Sequence, residues 1–523
     1  FANEPLADFS RAAQREACRT AIDRVRRDLG REYPAFVDGR DCRTGSVIVS
    51  VNPARPEEVV GRVTAVDRQL VEESLSAARK AQAAWGATTP AERAGLLFRA
   101  AEIARSRRGE LLAWQVLETG KNRQEADADV AEAIDYLEYY GREILRLGAP
   151  FRTGEVPGEE NRYSYRPRGV ALVVAPWNFP LAISAGMVSA AMVAGNTVLY
   201  KPSSLSAVNG WQLCTLFREA GVPDGVLNFI PGRGHEVGGW LAGHPEIDVI
   251  AFTGSREVGL GLIEAAAHPV SGQRSVKRVI AEMGGKNAVI VDDDADLDQA
   301  VAGVLQSAFG YQGQKCSACS RVIVLAGCYD RFLERVAEAV SGIVVGPPED
   351  PACFMGPMIE AAARARVEEY IALGNREGRI VVRAPAPGEG FYVPPTVIAD
   401  LPPGSRLLRE EIFGPVLAVV RAGTMDEALR IANDSEYALT GGLYSRSPGR
   451  IGQAARELAV GNLYLNRGIT GAMVGRQPFG GFKLSGIGSK AGGPDYLAQF
   501  MEPRVVTENT LRRGFTPELL VHS

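Results

Sequence analysis

The first part of the chain contains segments whose apolar residues recur at three- and four-residue steps, the period of an amphipathic helix. They predict helices over residues 16–29, 70–85, 90–120 and 125–145. Short apolar runs then alternate with further helical patterns, and they predict strands that begin near Gly169, Thr197, Gly225 and Ile247. Strands that alternate with helices are typical of a doubly wound α/β domain.

A second series of the same kind begins at Asn287 and indicates a second α/β domain. Its strands are predicted near Asn287, Ser320 and Gly461. The segment 161–169, NRYSYRPRG, alternates long polar and aromatic side chains. It predicts a strand that leaves the body of the fold.

Length and composition narrow the class of protein. A chain of 523 residues exceeds what one hydrophobic core usually organises, and 46% hydrophobic with 23% charged residues is a globular composition. A formal charge of −4 without any Lys/Arg block gives no electrostatic reason to expect nucleic acid or a membrane as partner. The N-terminal FANEPLADFS lacks the cationic and apolar regions of a secretory signal. We therefore expect a cytoplasmic protein that acts on a small molecule.

Two of the seven cysteines, Cys316 and Cys319, lie close together in the segment GQKCSACSR. Such a pair is compatible with half a metal site, with a redox pair, or with one nucleophile and a bystander. The other cysteines and the four histidines are scattered, and no second CxxC accompanies the pair. A zinc site is therefore disfavoured, and we expect no metal.

Three further segments carry candidate chemistry, each with an ordinary structural alternative. In FTGSREVG, Gly254 and Gly259 flank the start of a predicted helix whose N–H groups could face a pyrophosphate, but an ordinary strand-to-helix turn explains them equally well. Glu282 precedes a Gly-Gly turn and is otherwise a solvated glutamate at a helix end. Asn178 in APWNFPLAI is held between prolines, which suits either an oxyanion donor or a buried turn.

Together these segments resemble the aldehyde dehydrogenase superfamily, from the N-terminal helices to about residue 510. The matching motifs occur in the family order: PWNFP at Pro176, GNTVLYKPSS at Gly195, FTGSREVG at Phe252, EMGGKN at Glu282, GQKCS at Gly313, EEIFGPV at Glu410 and PFGGFKLSG at Pro478. More narrowly, VAEAIDYLEYY, GQKCSACSR, NRGITGAMVGRQPFGG and KAGGPDYLAQF resemble the branch that oxidises L-glutamate γ-semialdehyde.

The resemblance implies an α/β fold with a Rossmann-like NAD-binding domain, an α/β catalytic domain and a β-flap for oligomerisation. The expected limits are 1–151 with 169–285 for the NAD-binding domain, 286–485 for the catalytic domain, and 152–168 with 486–523 for the flap. A homodimer or higher homo-oligomer is the expected assembly.

The resemblance also implies the catalytic residues. Cys316 takes the nucleophile's place, and Cys319 is a packed neighbour without a catalytic role. The side chain of Asn178 and the backbone N–H of Cys316 would stabilise the oxyanion. Glu282 would be the general base that activates water for hydrolysis of the thioester. The acylating branch of the superfamily lacks this glutamate.

NAD is the cofactor that the resemblance implies. Lys201 would hold the adenosine ribose, Glu411 the nicotinamide ribose, and Phe413 would pack beside the nicotinamide. The remaining expected contacts are Trp177, Ser203, Ser204, Gly232, Phe252, Thr253, Gly254, Ser255, Val258, Glu282 and Gly284. Ser204 stands where many NAD-preferring relatives carry a glutamate, so use of NADP stays open as a hypothesis.

The implied substrate carries an α-carboxylate and an α-ammonium. Ser317 and the backbone N–H groups of Gly471 and Ala472 would bind the carboxylate. Phe179 and Phe479 would enclose the aliphatic chain, and Glu132 would lie near the ammonium. The alternatives are two ordinary core phenylalanines and a solvated helix charge.

The expected function is NAD-dependent oxidation of L-glutamate γ-semialdehyde, the open form of 1-pyrroline-5-carboxylate, to L-glutamate, the second step of proline catabolism. One alternative is a hydrolytic relative that acts on another small aldehyde such as succinate semialdehyde. Another is a catalytically silent binding or structural protein, which the intact Cys316, Glu282, Asn178 and Lys201 disfavour.

Overall fold

The computed structural model describes residues 1–512, except for the side chains of residues 235 and 236. Its helices are α1 (Ala12–Arg26), α2 (Arg68–Ala87), α3 (Pro90–Ser106), α4 (Arg108–Thr119), α5 (Arg123–Leu147), α6 (Ala182–Val193), α7 (Ala207–Glu219), α8 (Gly239–Gly243), α9 (Arg256–Ala267), α10 (Leu297–Phe309), α11 (Tyr329–Ser341), α12 (Ala361–Glu377), α13 (Arg406–Arg409), α14 (Met425–Asn433) and α15 (Pro448–Glu457). None of the helices in this described part of the chain has the length and apolar character needed to cross a membrane.

The strands fall into two large sheets and three small ones. They are β1 (Glu32–Tyr33), β2 (Ala35–Val37), β3 (Arg40–Cys42), β4 (Val47–Asn52), β5 (Arg55–Thr64), β6 (Phe151–Arg152), β7 (Glu159–Pro167), β8 (Val170–Val174), β9 (Thr197–Lys201), β10 (Leu227–Phe229), β11 (Val249–Thr253), β12 (Arg278–Glu282), β13 (Asn287–Val291), β14 (Cys319–Leu325), β15 (Arg379–Arg383), β16 (Thr396–Ala399), β17 (Val416–Ala422), β18 (Tyr437–Ala438), β19 (Thr440–Tyr444), β20 (Asn462–Leu465), β21 (Phe482–Lys483), β22 (Gly486–Ile487) and β23 (Met501–Asn509).

Local sequence sets the helix boundaries. Thr89 and Glu92 form a capping box at the start of α3, and the side chain of Asn122 accepts from the N–H of Glu125 at the start of α5. The single helix predicted over 90–120 is in fact two helices, α3 and α4, because the backbone of Arg107 departs from helical geometry with φ −100° and ψ 11°. The second of these helices packs against α1 and α5.

The first large sheet has the order β22-β12-β11-β8-β9-β10-β2-β3. Its five central strands, from β12 to β10, are parallel to their neighbours, and the antiparallel strands lie at the two edges. Every residue of β8 and β9 is buried, as expected for parallel strands covered by helices on both faces. This sheet confirms the doubly wound α/β domain predicted for the first part of the chain.

The second large sheet has the order β15-β16-β17-β14-β13-β19-β20 and is parallel except for β15 at one edge. Three of its seven strands, β13, β14 and β20, are those that the sequence predicts. Its buried residues form a core that is separate from the cores of the first sheet.

The predicted outlying strand is β7, which pairs along its whole length with β23 and also with β6 in a separate sheet. The expected flap element 486–523 contributes strands to two different sheets. Its first part packs on the first sheet, because β22 pairs with β12 and Leu497 and Phe500 are buried in that core. The flap strand begins at Met501, and residues 513–523 lie outside the described residues. The domain limits otherwise remain a prediction.

A buried ion pair links two helices, α5 and α6, that carry residues of the functional site. Lys121, just before α5, donates to the Asp129 carboxylate on that helix at 2.7 Å, and both side chains are 0% exposed. The same carboxylate accepts from the N–H of Ala182 at the start of α6 at 2.8 Å. The Lys121 ammonium also lies 4.3 Å from the ring centre of Phe179. Burial lowers the pKa of Lys121 and raises that of Asp129, so each depends on the other to remain charged.

Removing one partner of this pair should destabilise the protein. Lys121→Met leaves Asp129 as an uncompensated buried acid, and we expect a loss of about 3–5 kcal/mol in unfolding free energy. Urea unfolding followed by circular dichroism measures the effect. Arg19→Met, which breaks an exposed pair with Glu16, is the control and should leave the midpoint unchanged. Equal midpoints for Lys121→Met and the wild type would contradict the importance of the pair.

Candidate active site

The carboxyl ends of four neighbouring parallel strands form one edge of the first sheet. Lys201 is the last residue of β9, Thr253 of β11 and Glu282 of β12, and residues 175–181 follow β8. In open α/β sheets, ligands bind outside this edge. The topology therefore brings together motifs that lie far apart in the sequence.

A cleft of about 1200 Å³ lies along this edge. It is lined by most of the predicted cofactor residues: Trp177, Lys201, Ser203, Ser204, Phe252, Thr253, Gly254, Ser255, Val258, Gly284, Glu411 and Phe413. Asn178 and Cys316 line it as well. Gly232 and Glu282 do not, because Gly232 packs against the Val237 side chain, whereas Glu282 faces a second cavity. Gly234 lines the cleft in this region instead.

The polar groups of the cleft are held by close packing. The Glu411 carboxylate accepts from the N–H of Gly285 at 2.9 Å, and a Cβ on Gly284 would come within 2.1 Å of it, so a side chain at position 284 would displace the carboxylate. Burial raises the pKa of Glu411 to about 7, while the Gly285 N–H and Lys286 oppose the shift. Burial also lowers the pKa of Lys201 to about 8.

A second cavity, of about 250 Å³, meets the cleft at Cys316, which lines both. Glu282 lines this smaller cavity. So do all the predicted substrate residues: Glu132, Phe179, Ser317, Gly471, Ala472 and Phe479. The structure thus places most of the predicted cofactor residues around the larger cleft and the predicted substrate residues around the smaller cavity, and Cys316 lines both.

The loop before Cys316 has an unusual backbone. Tyr311, Gln312 and Gly313 have φ values of 51°, 58° and 67°, the left-handed region that costs a non-glycine residue about 1–3 kcal/mol. The Gln312 amide offsets this cost by donating to the Gly120 and Pro357 carbonyls at 3.2 and 2.7 Å. Buried side-chain contacts therefore fix where Cys316 lies.

Asn178 is 5% exposed and lies beside this loop. Its Nδ2 donates to the Gln314 carbonyl at 3.1 Å. An asparagine amide carries two N–H groups, so this bond orients the side chain and leaves a second donor.

The ionisable groups around Cys316 are shifted by burial. Burial raises the pKa of the Cys316 thiol, and the nearby Glu411 and Glu282 carboxylates raise it further. Burial raises the pKa of Glu282 to about 8, against the opposing effects of the Gly481 N–H and Lys490. Among the described residues, Glu282 Oε2 has no hydrogen-bond partner. A carboxylate with these properties is suited to general base catalysis near neutral pH.

Glu132 lies on α5 and lines the smaller cavity. Burial raises its pKa to about 8, the charge of Asp129 adds to the shift, and Lys121 opposes it. The position argues against a solvated helix charge.

Cys319 is 1% exposed, lines neither cavity, and its thiol contacts the Arg321 carbonyl at 3.4 Å. No group of three or more metal-ligating side chains occurs within the described residues. Each of the seven cysteines is a free thiol. This geometry favours one nucleophile with a packed neighbour.

Sequence reasoning missed the buried polar contacts behind the site. Lys315, next to the nucleophile, pairs with Glu125 at 2.7 Å, and Lys121 lies over Phe179 as described above. Tyr136 and Tyr496 also line the smaller cavity. In the sequence, the signal for these contacts was the set of charged residues on α5 at positions where an amphipathic helix would bury apolar residues.

Comparison with known proteins agrees with this geometry. The model of the aldehyde dehydrogenase family matches residues 40–506. The 1-pyrroline-5-carboxylate dehydrogenases of Geobacillus kaustophilus and Geobacillus thermodenitrificans are each 49% identical to this chain over 509 residues, which cover 97% of this chain and 99% of the relative.

Solved structures are similarly close. The 1-pyrroline-5-carboxylate dehydrogenase from Thermus with bound NAD superposes with a TM-score of 0.96 at 47% identity, covering 97% of this chain and 99% of that one. Proline utilization A from Bdellovibrio bacteriovorus has a TM-score of 0.97 at 50% identity and matches 99% of this chain, which spans only 54% of that protein's length. The match of the family model to residues 40–506, together with these relatives of almost the same length, shows that the chain belongs to the aldehyde dehydrogenase family.

Proposed function

We propose that the chain oxidises L-glutamate γ-semialdehyde, formed by ring opening of 1-pyrroline-5-carboxylate, to L-glutamate with NAD. The observation that carries this proposal is the smaller cavity, where the residues expected to bind an amino acid surround the side of Cys316 away from the cofactor cleft. The near-full-length relatives named 1-pyrroline-5-carboxylate dehydrogenase support it. In proline catabolism this is the second step.

The first chemical step is attack of the Cys316 thiolate on the aldehyde carbon. The product is a tetrahedral thiohemiacetal, whose oxyanion needs donors that are already in place. The second Nδ2–H of Asn178 and the backbone N–H of Cys316 supply them. Burial raises the pKa of the thiol, so attack proceeds from the small fraction of Cys316 that has lost its proton to solvent.

The second half of the reaction removes the acyl group from the enzyme. NAD bound in the larger cleft accepts the hydride that leaves the thiohemiacetal carbon, so that a thioester remains on Cys316. Glu282 takes a proton from the water that hydrolyses this thioester. A solvated glutamate would be too weak a base, whereas a pKa near 8 matches the task.

The cleft residues fit a dinucleotide. The Glu411 carboxylate, packed on Gly284 and bound by the Gly285 N–H, would hold the nicotinamide ribose, and Lys201 the adenosine ribose. Val258, at the start of α9, is 51% exposed, which suits a residue that a bound adenine would cover. The Thermus relative with bound NAD supports the choice of cofactor. Ser204 neither repels nor clamps a 2′-phosphate, so NADP remains a secondary candidate.

The smaller cavity is suited to the amino-acid end of the substrate. The Ser317 side chain and the N–H groups of Gly471 and Ala472 would bind the carboxylate, and Glu132 would bind the ammonium. Gly471 has a φ of 75°, which only glycine adopts without strain. Phe179 and Phe479 would enclose the methylene chain.

We also propose a homo-oligomer that assembles through the flap sheet, in a reducing, cytoplasmic setting. The flap strands β6 and β23 expose the apolar side chains of Phe151, Val505 and Val506, which an adjacent subunit would cover. Seven free thiols fit a reducing compartment.

Steady-state NADH formation tests the proposed substrate. We expect 1-pyrroline-5-carboxylate to exceed succinate semialdehyde, propanal and hexanal by at least about tenfold in kcat/KM, because only it uses the amino-acid contacts. Each substrate is measured with NAD and with NADP. Cys316→Ala is the blank, and Cys319→Ala is its matched control, which should keep its activity. A plain aldehyde as the best substrate would overturn the assignment.

The role of Glu132 predicts a pH dependence of substrate binding. Below its pKa of about 8, Glu132 is protonated, and the substrate ammonium must displace that proton. The ratio of KM for Glu132→Gln to KM for the wild type should therefore increase from about pH 6.5 to about pH 8.5. Taking the ratio cancels the pH dependence of ring opening. A ratio that stays constant with pH would show that this carboxylate does not bind the ammonium.

A further inference from the structure

Lys490 belongs to the KAGGPDYL motif, to which the reaction as described gives no role. Its ammonium donates to three acceptors: the Gly461 carbonyl at 2.8 Å, the Asn462 Oδ1 at 3.0 Å and the Gly480 carbonyl at 2.6 Å. Asn462 in turn donates to the Pro478 carbonyl at 2.9 Å. An ammonium has three donors, and all three are used here. One binds the segment 478–481 at Gly480 and two bind the start of β20 at Gly461 and Asn462, so Lys490 holds the segment against the edge of the second sheet.

The segment 478–481 lies beside both the smaller cavity and Glu282. Phe479, a wall of the smaller cavity, exchanges two backbone hydrogen bonds with Ala491, the residue after Lys490, at 2.9 and 2.8 Å. A Cβ on Gly480 would come within 2.8 Å of Glu282 Oε1 and 3.3 Å of the Lys490 side chain, so this glycine separates the two by a single backbone layer. The N–H of Gly481 stabilises the Glu282 carboxylate.

Four titratable groups interact electrostatically with Glu282. Lys490 is the cation among them, and it favours the ionised carboxylate. Cys316 on the nucleophile loop, Tyr136 on α5 and Tyr496 near the C-terminus are the other titratable groups, and the charge of Glu282 raises the pKa of each. Lys490 therefore offsets part of the burial that makes Glu282 a weak acid.

We propose that Lys490 is a positioning residue for both halves of the reaction. It fixes the segment 478–481, which places Phe479 against the substrate chain, and its charge increases the fraction of Glu282 that is ionised for thioester hydrolysis. This inference rests on the proposed function and assigns its hydrolytic step to a specific electrostatic contact. Hydrogen bonding and charge are separate contributions, and different variants remove them.

The charge is tested by Lys490→Met and Lys490→Arg, with the pH dependence of kcat as the readout. Lys490→Met keeps the aliphatic stem but removes the cation, and the acid limb of the profile should move up by about one pH unit. Deacylation then becomes slower, so rapid mixing should show a burst of NADH near one equivalent per active site. Lys490→Arg restores the charge and should return the limb towards its wild-type position.

Positioning is tested by Asn462→Leu, which removes the bonds to Lys490 and Pro478 but leaves the cation in place. It should raise KM for the pyrroline substrate severalfold while the acid limb stays at the wild-type pH. Lys277→Met is the matched control, because Lys277 is also a buried lysine that donates to a carbonyl, that of Ala242, at the opposite end of β12. It should change neither parameter.

Propanal is run beside the pyrroline substrate to separate the two proposals. A wild-type enzyme that oxidises propanal but not the pyrroline substrate would refute the proposed function, and the propanal profiles would still decide the role of Lys490. A folded Lys490→Met enzyme, matched to the wild type by circular dichroism, with an unshifted acid limb and no burst would overturn the inference.

Discussion

The left-handed backbone at residues 311–313 is the constraint on which the site depends. A strained turn persists only where its surroundings determine it, and here Gln312 is bonded to carbonyls on both sides of the loop while Tyr311 donates to the Thr119 carbonyl. The loop places Cys316 where the larger cleft and the smaller cavity meet. Lys121 and Asp129 support the same region from α5, so the buried charges behind the site are part of what positions it.

Burial also determines the acid–base properties of the carboxyl groups in the site. It raises the pKa of Glu282 and Glu132 to about 8 and that of Glu411 to about 7. On a solvated protein surface, the same carboxyl groups would lose their protons far below neutral pH, and the carboxylates would be weak bases. Inside the two cavities, the protonation state of each carboxyl group can be changed by a ligand, a base or a nearby cation. The same desolvation that costs stability thus gives the carboxylates their chemical use.

Much of this could be predicted from the sequence, and the failures have physical causes. The strands β9 and β11, which end at Lys201 and Thr253, could be predicted because strand periodicity is a local signal. The strand β12 was not predicted, and Glu282 was identified only through the resemblance of EMGGKN to a family motif. The break at Arg107 was missed because both flanking segments keep a helical period. The contacts of Gln312, and of Lys121 with Phe179, join residues far apart in the chain and depend on packing that no local pattern encodes. Likewise, the pairing of β22 with β12 could not be read from a two-residue strand.

The central claim is that one thiol serves both cavities through a covalent acyl intermediate. The most direct test is intact mass spectrometry of Glu282→Gln after mixing with NAD and 1-pyrroline-5-carboxylate. The account predicts that each chain gains the mass of one γ-glutamyl group, located on the peptide that contains Cys316, because attack and oxidation proceed while hydrolysis is blocked. An unmodified chain that continues to turn over, or an adduct on any other residue, would contradict it.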